Sequence, residues 1–431
     1  MTSKPPLFEP LQLSSGEVLP NRIAKAAMEE NLADLDQLPG VMLRTLYERW
    51  SRGGAGLIIS GNVMIDPHAM TGPGGVVLDP SQSLEPFIRW AKAARAGGAH
   101  AWLQINHPGR QMYASLGQGA VAPSAVPVRI PGFEKLFPVP RALREEEIFE
   151  LVDKFADTAE LVQKAGFSGV QIHAAHGYLI SQFLSPLSNR RTDAWGGSLE
   201  GRSRFLVEVV RAVRSRVSRG FSVALKINAG DFQKGGFDVE DAASVVRNLE
   251  GLGVDLVELS GGSFESPAMQ GRVASGALQT RGGYFVALAR KIAADSKIPI
   301  MVTGGILDRE AAEAALAPRD GRPGVAMVGL ASALAFDPDV PANWQRGEHL
   351  VLRVPHATWK SPIANLANQE IVRVQLRRLG RGKRPCMRTT GAYALALRMI
   401  RLWFRTRQYR RWVMRRSLGI GKITSWEGDR V

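Results

Sequence analysis

Short runs of apolar residues recur along the chain, and most are followed by a stretch with the apolar spacing of a helix. Eight runs rich in valine, isoleucine and leucine are predicted to be strands: residues 22–28, 56–63, 100–107, 169–176, 222–229, 254–260, 299–303 and 324–330. Helical patterns lie between them, for example at 145–165, 199–218, 239–252 and 284–294. This alternation predicts a parallel sheet, because parallel strands need a crossover connection.

Eight strand–helix units predict an α/β fold, a (β/α)8 TIM barrel with insertions. A pair of doubly wound domains is the alternative, but no strand leads into a glycine-rich phosphate motif of the usual spacing. We expect the barrel to occupy residues 1–350, and a C-terminal extension with a basic helix to occupy residues 351–431. The segment 123–140 contains five prolines, and we expect it to form a lid beside the site.

The net charge of +15 comes from one segment of the chain. Residues 371–416 contain 15 of the 55 lysines and arginines and no acidic residue, so the rest of the chain has 40 of each sign. The body is therefore neutral, and no nucleic-acid partner is expected. The one cysteine, Cys386, excludes an internal disulfide and a cysteine-based metal cluster. No apolar leader or run of 18 apolar residues occurs, so a cytoplasmic location is expected.

Two histidines and a tyrosine, His173, His176 and Tyr178, lie together at the predicted carboxyl end of the fourth strand. Barrel active sites form at this edge. Two imidazoles can donate hydrogen bonds to an oxyanion, and a phenol with a pKa of about 10 can give a proton to a carbanion. Packing at the barrel rim is an alternative. A metal site that includes His107 is another, but no carboxylate obviously joins the histidines, and we predict no metal.

Other strand ends also carry polar groups or glycines. Lys226 ends an apolar strand, and a buried lysine needs a partner, which is either a bound anion or an acidic residue of a neighbouring strand. Gln104 could hydrogen-bond a planar, amide-like ring. Gly304 and Gly305 after the seventh strand, and the turn ending in Ser332 after the eighth, are suited to a phosphate, although they could simply form tight turns.

Several motifs in one order resemble the Old Yellow Enzyme family of FMN-dependent NADH:flavin oxidoreductases, or ene-reductases, of the single-domain type. The resemblance covers roughly residues 5–345. Its motifs include NRIAKAAM (21–28), LQINHPGR (103–110), HAAHGYLISQFLSPLSNRRTDAWGGSLEGRSRF (173–205), LKINAGDF (225–232), VTGGI (302–306) and GLASALAFDPD (329–339).

The resemblance implies a site for FMN at the barrel mouth. The residues that match its cofactor-binding positions are Ala26, Ala27, Met28, Asn62, Gln104, Lys226, Gly304, Gly305, Ala331 and Ser332. It also implies that His173 and His176 bind the substrate's carbonyl oxygen and that Tyr178 is the proton donor. NADPH or NADH would reduce FMN, and hydride would then pass from flavin N5 to the activated C=C bond of an α,β-unsaturated carbonyl.

The chain departs from the family pattern at several places, including Lys226 where arginine is frequent and Ala27 in place of a common proline. The phosphate turn usually reads Gly-Arg, but here it is Ala331-Ser332, which brings no charge. Glu29 stands where a threonine or cysteine often touches the flavin, and we expect it to turn away or to pair with Lys25 or Arg110. Two alternatives therefore stay open: a phosphate-binding barrel without redox activity, tethered to a membrane or partner, and a metal-assisted hydrolase or lyase.

The segment 392–416, AYALALRMIRLWFRTRQYRRWVMRR, has the pattern of a basic amphipathic helix. The apolar residues that share one side are Leu395, Met399, Leu402 and Trp403, and another side carries Arg398, Arg401 and Arg405. Such a helix suits an anionic membrane surface. The alternatives are docking on its own barrel or on a second subunit of a homo-oligomer, and RNA binding. The resemblance does not extend to this segment.

Overall fold

The barrel consists of eight short parallel strands. The structure is a computed structural model that describes residues 6–130, 132–266, 283–319, 321–348, 354–359 and 363–418. Predictions for other positions, including Pro131 of the expected lid and parts of the extension, lie outside the described residues. The barrel strands are β1 (Ile23–Lys25), β2 (Leu57–Ile59), β3 (His100–Asn106), β4 (Gly169–Ala174), β5 (Ser222–Asn228), β6 (Leu256–Ser260), β7 (Ile300–Thr303) and β8 (Met327–Leu330).

Each strand pairs in parallel with the next, and β8 pairs with β1, so the sheet is closed. The predicted (β/α)8 fold is therefore confirmed, and each predicted apolar run contains one barrel strand. The strands are shorter than the runs, because the chain turns out of the sheet as soon as the polar strand ends are reached.

Helices cover the outside of the barrel and cross its mouth. They are α1 (Val41–Ser51), α2 (Glu85–Arg95), α3 (Glu145–Lys164), α4 (Leu179–Leu184), α5 (Leu199–Arg216), α6 (Val239–Asn248), α7 (Gly283–Ala294), α8 (Arg309–Leu316), α9 (Ala333–Phe336), α10 (Val340–Gln345), α11 (Ile363–Gly380) and α12 (Gly391–Ser417). The four helices predicted from periodicity correspond to α3, α5, α6 and α7. The predicted basic helix corresponds to α12.

The amino-terminal end of the barrel is closed by apolar packing. A hairpin of Leu11–Gln12 and Val18–Leu19 lies below the strands, and its leucines pack against inward side chains such as Trp102 and Met301. A dry floor of this kind leaves the carboxyl ends of the strands as the open end of the barrel. The polar residues identified in the sequence lie at that end.

The extension lies against the barrel rather than apart from it. Helix α11 packs on α1 and α9, and α12 packs on α11. In the second half of α12, Tyr409 is fully buried and donates a hydrogen bond to the Pro67 carbonyl at 2.8 Å, while Trp412 and Val413 pack beside it. Docking on its own barrel is therefore the arrangement that this half of the helix adopts. Among the described residues, no helix is long and apolar enough to cross a membrane.

Candidate active site

A cavity of about 650 Å³ lies at the mouth of the barrel, within the size range of small-molecule sites. Strand ends, loops and the extension all contribute to its wall. The lining residues that the sequence predicted as site residues are Met28, His176, Tyr178, Ala331 and Ser332. Helices α11 and α12 add five arginines to the wall, which the sequence did not assign to the site.

The two histidines and the tyrosine form a compact group, as their position at one strand end predicted. The His173 ring centroid lies 5.1 Å from that of His176 and 4.9 Å from that of Tyr178, and both ring pairs are nearly perpendicular. The Ala175 amide donates to His173 Nδ1 at 3.2 Å, so the proton of the neutral ring is on Nε2. His176 Nε2 lies 2.8 Å from the Ser260 hydroxyl, which leaves Nδ1 for a ligand.

A left-handed turn presents His176 and Tyr178 to the cavity. His176 has a φ of 61°, and Gly177 follows with a φ of 75°. A Cβ at Gly177 would lie 2.7 Å from Gln111 Oε1, so a side chain would clash there as well as strain the backbone. Asn228 accepts the His176 amide at 3.1 Å and holds the turn.

Burial sets the protonation state of all three rings. It lowers the pKa of His173 well below 6.5, and the charges of His176 and Lys226 act in the same direction. It likewise lowers the pKa of His176, so both imidazoles are neutral at physiological pH. The pKa of Tyr178 is raised well above 10, first by burial and then by the charge of Glu29. The phenol therefore keeps its proton.

A chain of four buried polar side chains crosses the barrel interior beneath the histidines. Gln104 Nε2 donates to Gln171 Oε1 at 2.7 Å, and Gln171 Nε2 donates to Glu258 Oε2 at 2.8 Å. Lys226 Nζ donates to Glu258 Oε1 at 2.7 Å. Of the two partners left open for Lys226, the structure shows the acidic residue of the neighbouring strand. Gln171 and Glu258 were not predicted as site residues, although a carboxylate inside the apolar run VELS was a usable signal.

The remaining predicted cofactor residues lie around the same strand ends. Asn62, after β2, lies close enough to Tyr178 to act toward lowering the pKa of its hydroxyl, against the larger effect of burial. Ala26, after β1, donates its amide to the Leu330 carbonyl at 2.8 Å, and Ala27 packs against the apolar interior. Gly304 and Gly305, after β7, have φ values of 114° and 78°, and neither lines the cavity wall that the arginines share.

The barrel mouth has polar atoms without partners, as a binding site for a polar cofactor should. In the described part of the chain, the Asn106 amide and the Thr303 hydroxyl are buried and make no hydrogen bond. A Cβ at Gly329 would lie 2.0 Å from Thr303 Oγ1, so only glycine fits beside that hydroxyl. Together with the glycine turn after β7, these groups fit FMN, which has a polar ring edge and a phosphate.

Glu29 is paired, as the sequence analysis expected, but its partner is a different one. Arg373 of α11 binds the Glu29 carboxylate. The prediction of Lys25 or Arg110 as the partner was wrong, because each of them lies next to another carboxylate. Lys25 lies 3.7 Å from Glu30, and Arg110 lies 2.5 Å from a glutamate on the loop after β6. The extension is thus joined by an ion pair to the loop that follows β1.

His107 is not grouped with other metal ligands. Among the residues that the structure describes, no three histidine, cysteine, aspartate or glutamate side chains lie together as a metal site would require. The Gly109 amide donates to His107 Nδ1 at 3.1 Å, and burial lowers the pKa of His107 to about 4. This histidine therefore has a local structural partner.

One aromatic residue of the proline-rich segment, Phe137, connects that segment to the site. The Phe137 ring centroid is 5.7 Å from that of Tyr113 and 6.0 Å from that of Phe264. Phe264 in turn lies 6.1 Å from Tyr178. A row of rings therefore leads from the predicted proton donor to the segment expected to form a lid.

Comparisons with known proteins agree with the barrel fold. Residues 6–350 match the model of the NADH:flavin oxidoreductase / NADH oxidase family. The chain is 36% identical over 356 residues to the NADH-dependent flavin oxidoreductase iliE of Hypocrea jecorina (strain QM6a), covering 77% of this chain and 87% of that protein. It is similar in structure to an old yellow enzyme homologue from Zymomonas mobilis (TM-score 0.68, 25% identity, 83% of this chain and 98% of the other). It also resembles a 2-naphthoyl-CoA reductase solved with 2-naphthoyl-CoA (TM-score 0.72, 27% identity), with 79% of this chain covering 52% of that one.

Proposed function

The chain belongs to the NADH:flavin oxidoreductase / NADH oxidase family, and from this premise we propose that it reduces the activated C=C bond of α,β-unsaturated carbonyl compounds. It is an oxidoreductase that uses FMN and a nicotinamide reductant. When bound, FMN would supply the hydride-transfer chemistry between NAD(P)H and the substrate's β-carbon. The observation that supports the proposal is the group of two neutral imidazoles and one protonated phenol at the barrel mouth.

His173 and His176 hold and polarise the carbonyl oxygen of the substrate. His173 has its N–H on Nε2, because Nδ1 accepts the Ala175 amide. His176 can donate from Nδ1 when Ser260 donates its hydroxyl proton to Nε2. Two N–H groups aimed at one oxygen stabilise the negative charge that develops there as the β-carbon is attacked. Because both rings are neutral, they stabilise this charge as donors and do not transfer a proton.

Tyr178 supplies the proton that completes the reaction at the α-carbon. Its ring lies 4.9 Å from the His173 ring, so it is close to the carbonyl that the histidines hold. Burial keeps the phenol protonated, although Asn62 acts toward lowering its pKa. A proton held next to a developing enolate is general acid catalysis.

The remaining predicted residues hold the cofactor in this proposal. Gln104 and Lys226, ordered by the chain of buried hydrogen bonds through Glu258, bind the polar edge of the flavin ring. The phosphate binds at two turns that follow barrel strands, where backbone N–H groups can donate to it. These turns are Gly304-Gly305 and Ala331-Ser332.

The test separates the two halves of the reaction with Tyr178→Phe. Anaerobic stopped-flow spectra should show FMN bleaching by NADPH at a rate within about twofold of the wild type. Reoxidation by cyclohexenone should slow by about 10²–10⁴-fold, the usual contribution of a general acid. Tyr393→Phe is the matched control, since Tyr393 is a 55% exposed tyrosine that does not line the cavity. Equal losses in both half-reactions would exclude Tyr178 as the donor, and a flavin that NADPH never bleaches would favour the barrel without redox activity.

The exposed side of α12 supports a second proposal, peripheral contact with an anionic membrane. Met399, Ile400, Trp403 and Phe404 are 73%, 58%, 52% and 55% exposed, and Arg407 stacks 3.8 Å over the Trp403 ring. Aromatic and basic side chains together suit the interface of an anionic bilayer. Replacing Trp403 and Phe404 by serine should reduce co-sedimentation with phosphatidylserine vesicles. Phe149→Ser, at a 45% exposed phenylalanine on α3, is the control.

A further inference from the structure

Five arginines of the extension face the active-site cavity, and we call them the arginine cluster. They are Arg373 and Arg377 on α11 and Arg398, Arg401 and Arg405 on α12. The mechanism proposed above uses none of them. The family match ends at residue 350, before the first of them.

The first half of α12 turns its arginines toward the cavity. An amphipathic helix usually packs its apolar side on the protein and leaves its charges in water. Here Arg398, Arg401 and Arg405 line the cavity beside Leu402, whereas Trp403 is exposed. Three charged side chains thus lie on the protein side of the helix, where a charge needs a partner.

The cavity wall has more positive than negative charge. Its lining contains five guanidinium groups and two carboxylates, those of Glu29 and Glu370, which leaves three positive charges without an acidic counterpart. In the described part of the chain, Arg401 makes no ion pair. Arg405 donates to the backbone carbonyls of Ala33 and Asp34 and to a glutamine side chain.

Arg377 is the clearest sign of an incomplete site. It is only 8% exposed, its Nη2 makes no hydrogen bond among the described residues, and the nearest carboxylate oxygen, of Glu370, is 3.9 Å away. Burial, then the charge of Arg401, lowers the pKa of Arg377 to about 10. Both groups remain charged at neutral pH, so the repulsion between them persists. A bound oxyanion would supply the missing acceptor and relieve that repulsion.

A row of contacts links the arginine cluster to the proton donor. Arg398 Nη2 donates to the Tyr113 hydroxyl at 3.2 Å. From Tyr113 the row of rings continues through Phe137 and Phe264 to Tyr178, with centroid distances of 5.7, 6.0 and 6.1 Å. Of the two turns assigned to the cofactor phosphate, Gly304-Gly305 does not line this cavity, whereas Ala331-Ser332 does. His176 and Tyr178 line it as well, so the cluster shares the cavity with the groups that act on the substrate.

We propose that the arginine cluster is an anion-binding subsite that takes a carboxylate or phosphate group of the molecule reacting at Tyr178. This inference rests on the proposed ene-reductase function and names its substrate class, an enone with an anionic group. The phosphates of NAD(P)H are a second source of such an anionic group, because the reductant must reach the same cavity. Neutral enones would then be poor substrates with a high KM.

Steady-state kinetics of the FMN-loaded protein test the subsite with Arg377→Gln and Arg401→Gln. Arg411→Gln, at an exposed arginine on the same helix, is the matched control. For 3-oxocyclohex-1-ene-1-carboxylate, each cavity variant should raise KM by about tenfold or more, as loss of a charged hydrogen bond does. For neutral cyclohexenone, KM should change by less than about twofold. The control should behave as the wild type with both enones.

The choice of reductant distinguishes the two sources of the anion. If the cluster binds the phosphates of NADPH, the variants should raise KM for NADPH and not for 1-benzyl-1,4-dihydronicotinamide, which has no phosphate. Unchanged KM values for every anionic reactant would overturn the proposal. A lower FMN content in the purified variants would also overturn it, because the arginines would then serve the cofactor.

A binding measurement keeps this inference separate from the proposed reaction. Isothermal titration of the FMN-loaded protein with sodium pyrophosphate at low ionic strength requires no turnover. The wild type and Arg411→Gln should bind it, and the two cavity variants should bind about tenfold more weakly. If the ene-reductase assay fails but pyrophosphate binds in this pattern, the subsite stands and the reaction needs revision. If the wild type does not bind pyrophosphate, the subsite is refuted whatever the reaction.

Discussion

A buried lysine and the arginine cluster lie at the open end of this barrel, and their positive charges are balanced in different ways. Lys226 inside the barrel donates to Glu258 at 2.7 Å, and the remaining oxygen of that carboxylate accepts from Gln171. The arginine cluster above it shares two lining carboxylates among five guanidinium groups. Lys226 is fully enclosed and the cluster is partly enclosed beside the cavity, so an unpaired charge is costly in both regions and more costly in the first.

The difference separates a scaffold from a binding surface. The Lys226 network is complete within the chain, so its role is to hold Lys226 and Gln104 in fixed positions for whatever lies above them. The cluster is incomplete within the chain, since Arg377 Nη2 has no acceptor in the described residues. A fully satisfied network adds rigidity, whereas an unsatisfied one stores binding energy for a ligand that completes it.

The largest expected effect comes from breaking the complete network with Glu258→Ala. This change leaves Lys226 buried without its acceptor, and Gln171 loses a partner as well. Removing one member of a buried ion pair typically costs about 3–5 kcal/mol of unfolding free energy. Urea unfolding followed by circular dichroism of the protein without FMN measures the loss directly. Flavin binding should weaken in parallel, because Lys226 is no longer held in place.

The double variant Lys226→Met, Glu258→Leu is the control for this prediction. Replacing both members of a buried pair by apolar groups is often neutral or stabilising. The double variant should therefore recover most of the stability that Glu258→Ala loses, while its flavin binding stays weak. A double variant as unstable as the single one would mean that the carboxylate acts through something other than the lysine.

The barrel and its functional end were predictable from sequence because both follow from local patterns. The apolar runs predicted all eight strands, since a strand covered on both faces is predominantly apolar. Parallel strands bring their carboxyl ends to one edge, so His173 and Gln104 had to lie near each other once the barrel was recognised. Residues on two different strands were thus placed at one site without any knowledge of side-chain contacts.

The partners of charged residues were not predictable in the same way. Glu29 binds Arg373, which is 344 residues away in the chain, and nothing local to either residue indicates the other. The sequence also did not determine which face of α12 meets the barrel. Its apolar and basic sides are equally clear in the sequence, and the usual rule would have chosen the apolar side. Ion-pair partners and the docking face of a helix depend on tertiary packing, which the local sequence does not reveal.

A smaller loss of stability is expected from Glu370→Gln, which removes the main acceptor of the arginine cluster. This carboxylate accepts from Arg373 at 2.6 Å and from Arg398 at 3.3 Å. We expect a loss of about 2 kcal/mol, below the range for a fully enclosed pair, because the adjoining cavity lets water reach the arginines. Glu348→Gln, at the half-exposed partner of Arg346, is the control and should change stability by less than about 0.5 kcal/mol.

The pH dependence identifies the charge of Glu370 as the cause. Burial alone would raise the pKa of Glu370, but the neighbouring guanidinium groups bring it below its ordinary value of 4.5. The ionised group therefore stabilises the fold above pH 4.5 and loses this contribution as the pH falls through the lowered pKa. The unfolding free energies of wild type and Glu370→Gln should differ fully at pH 7 and converge in acid. If the two unfolding free energies still differ after Glu370 is protonated, the loss of stability is due to packing. If they do not differ at pH 7, water alone satisfies the arginines, and the contrast between the two regions disappears.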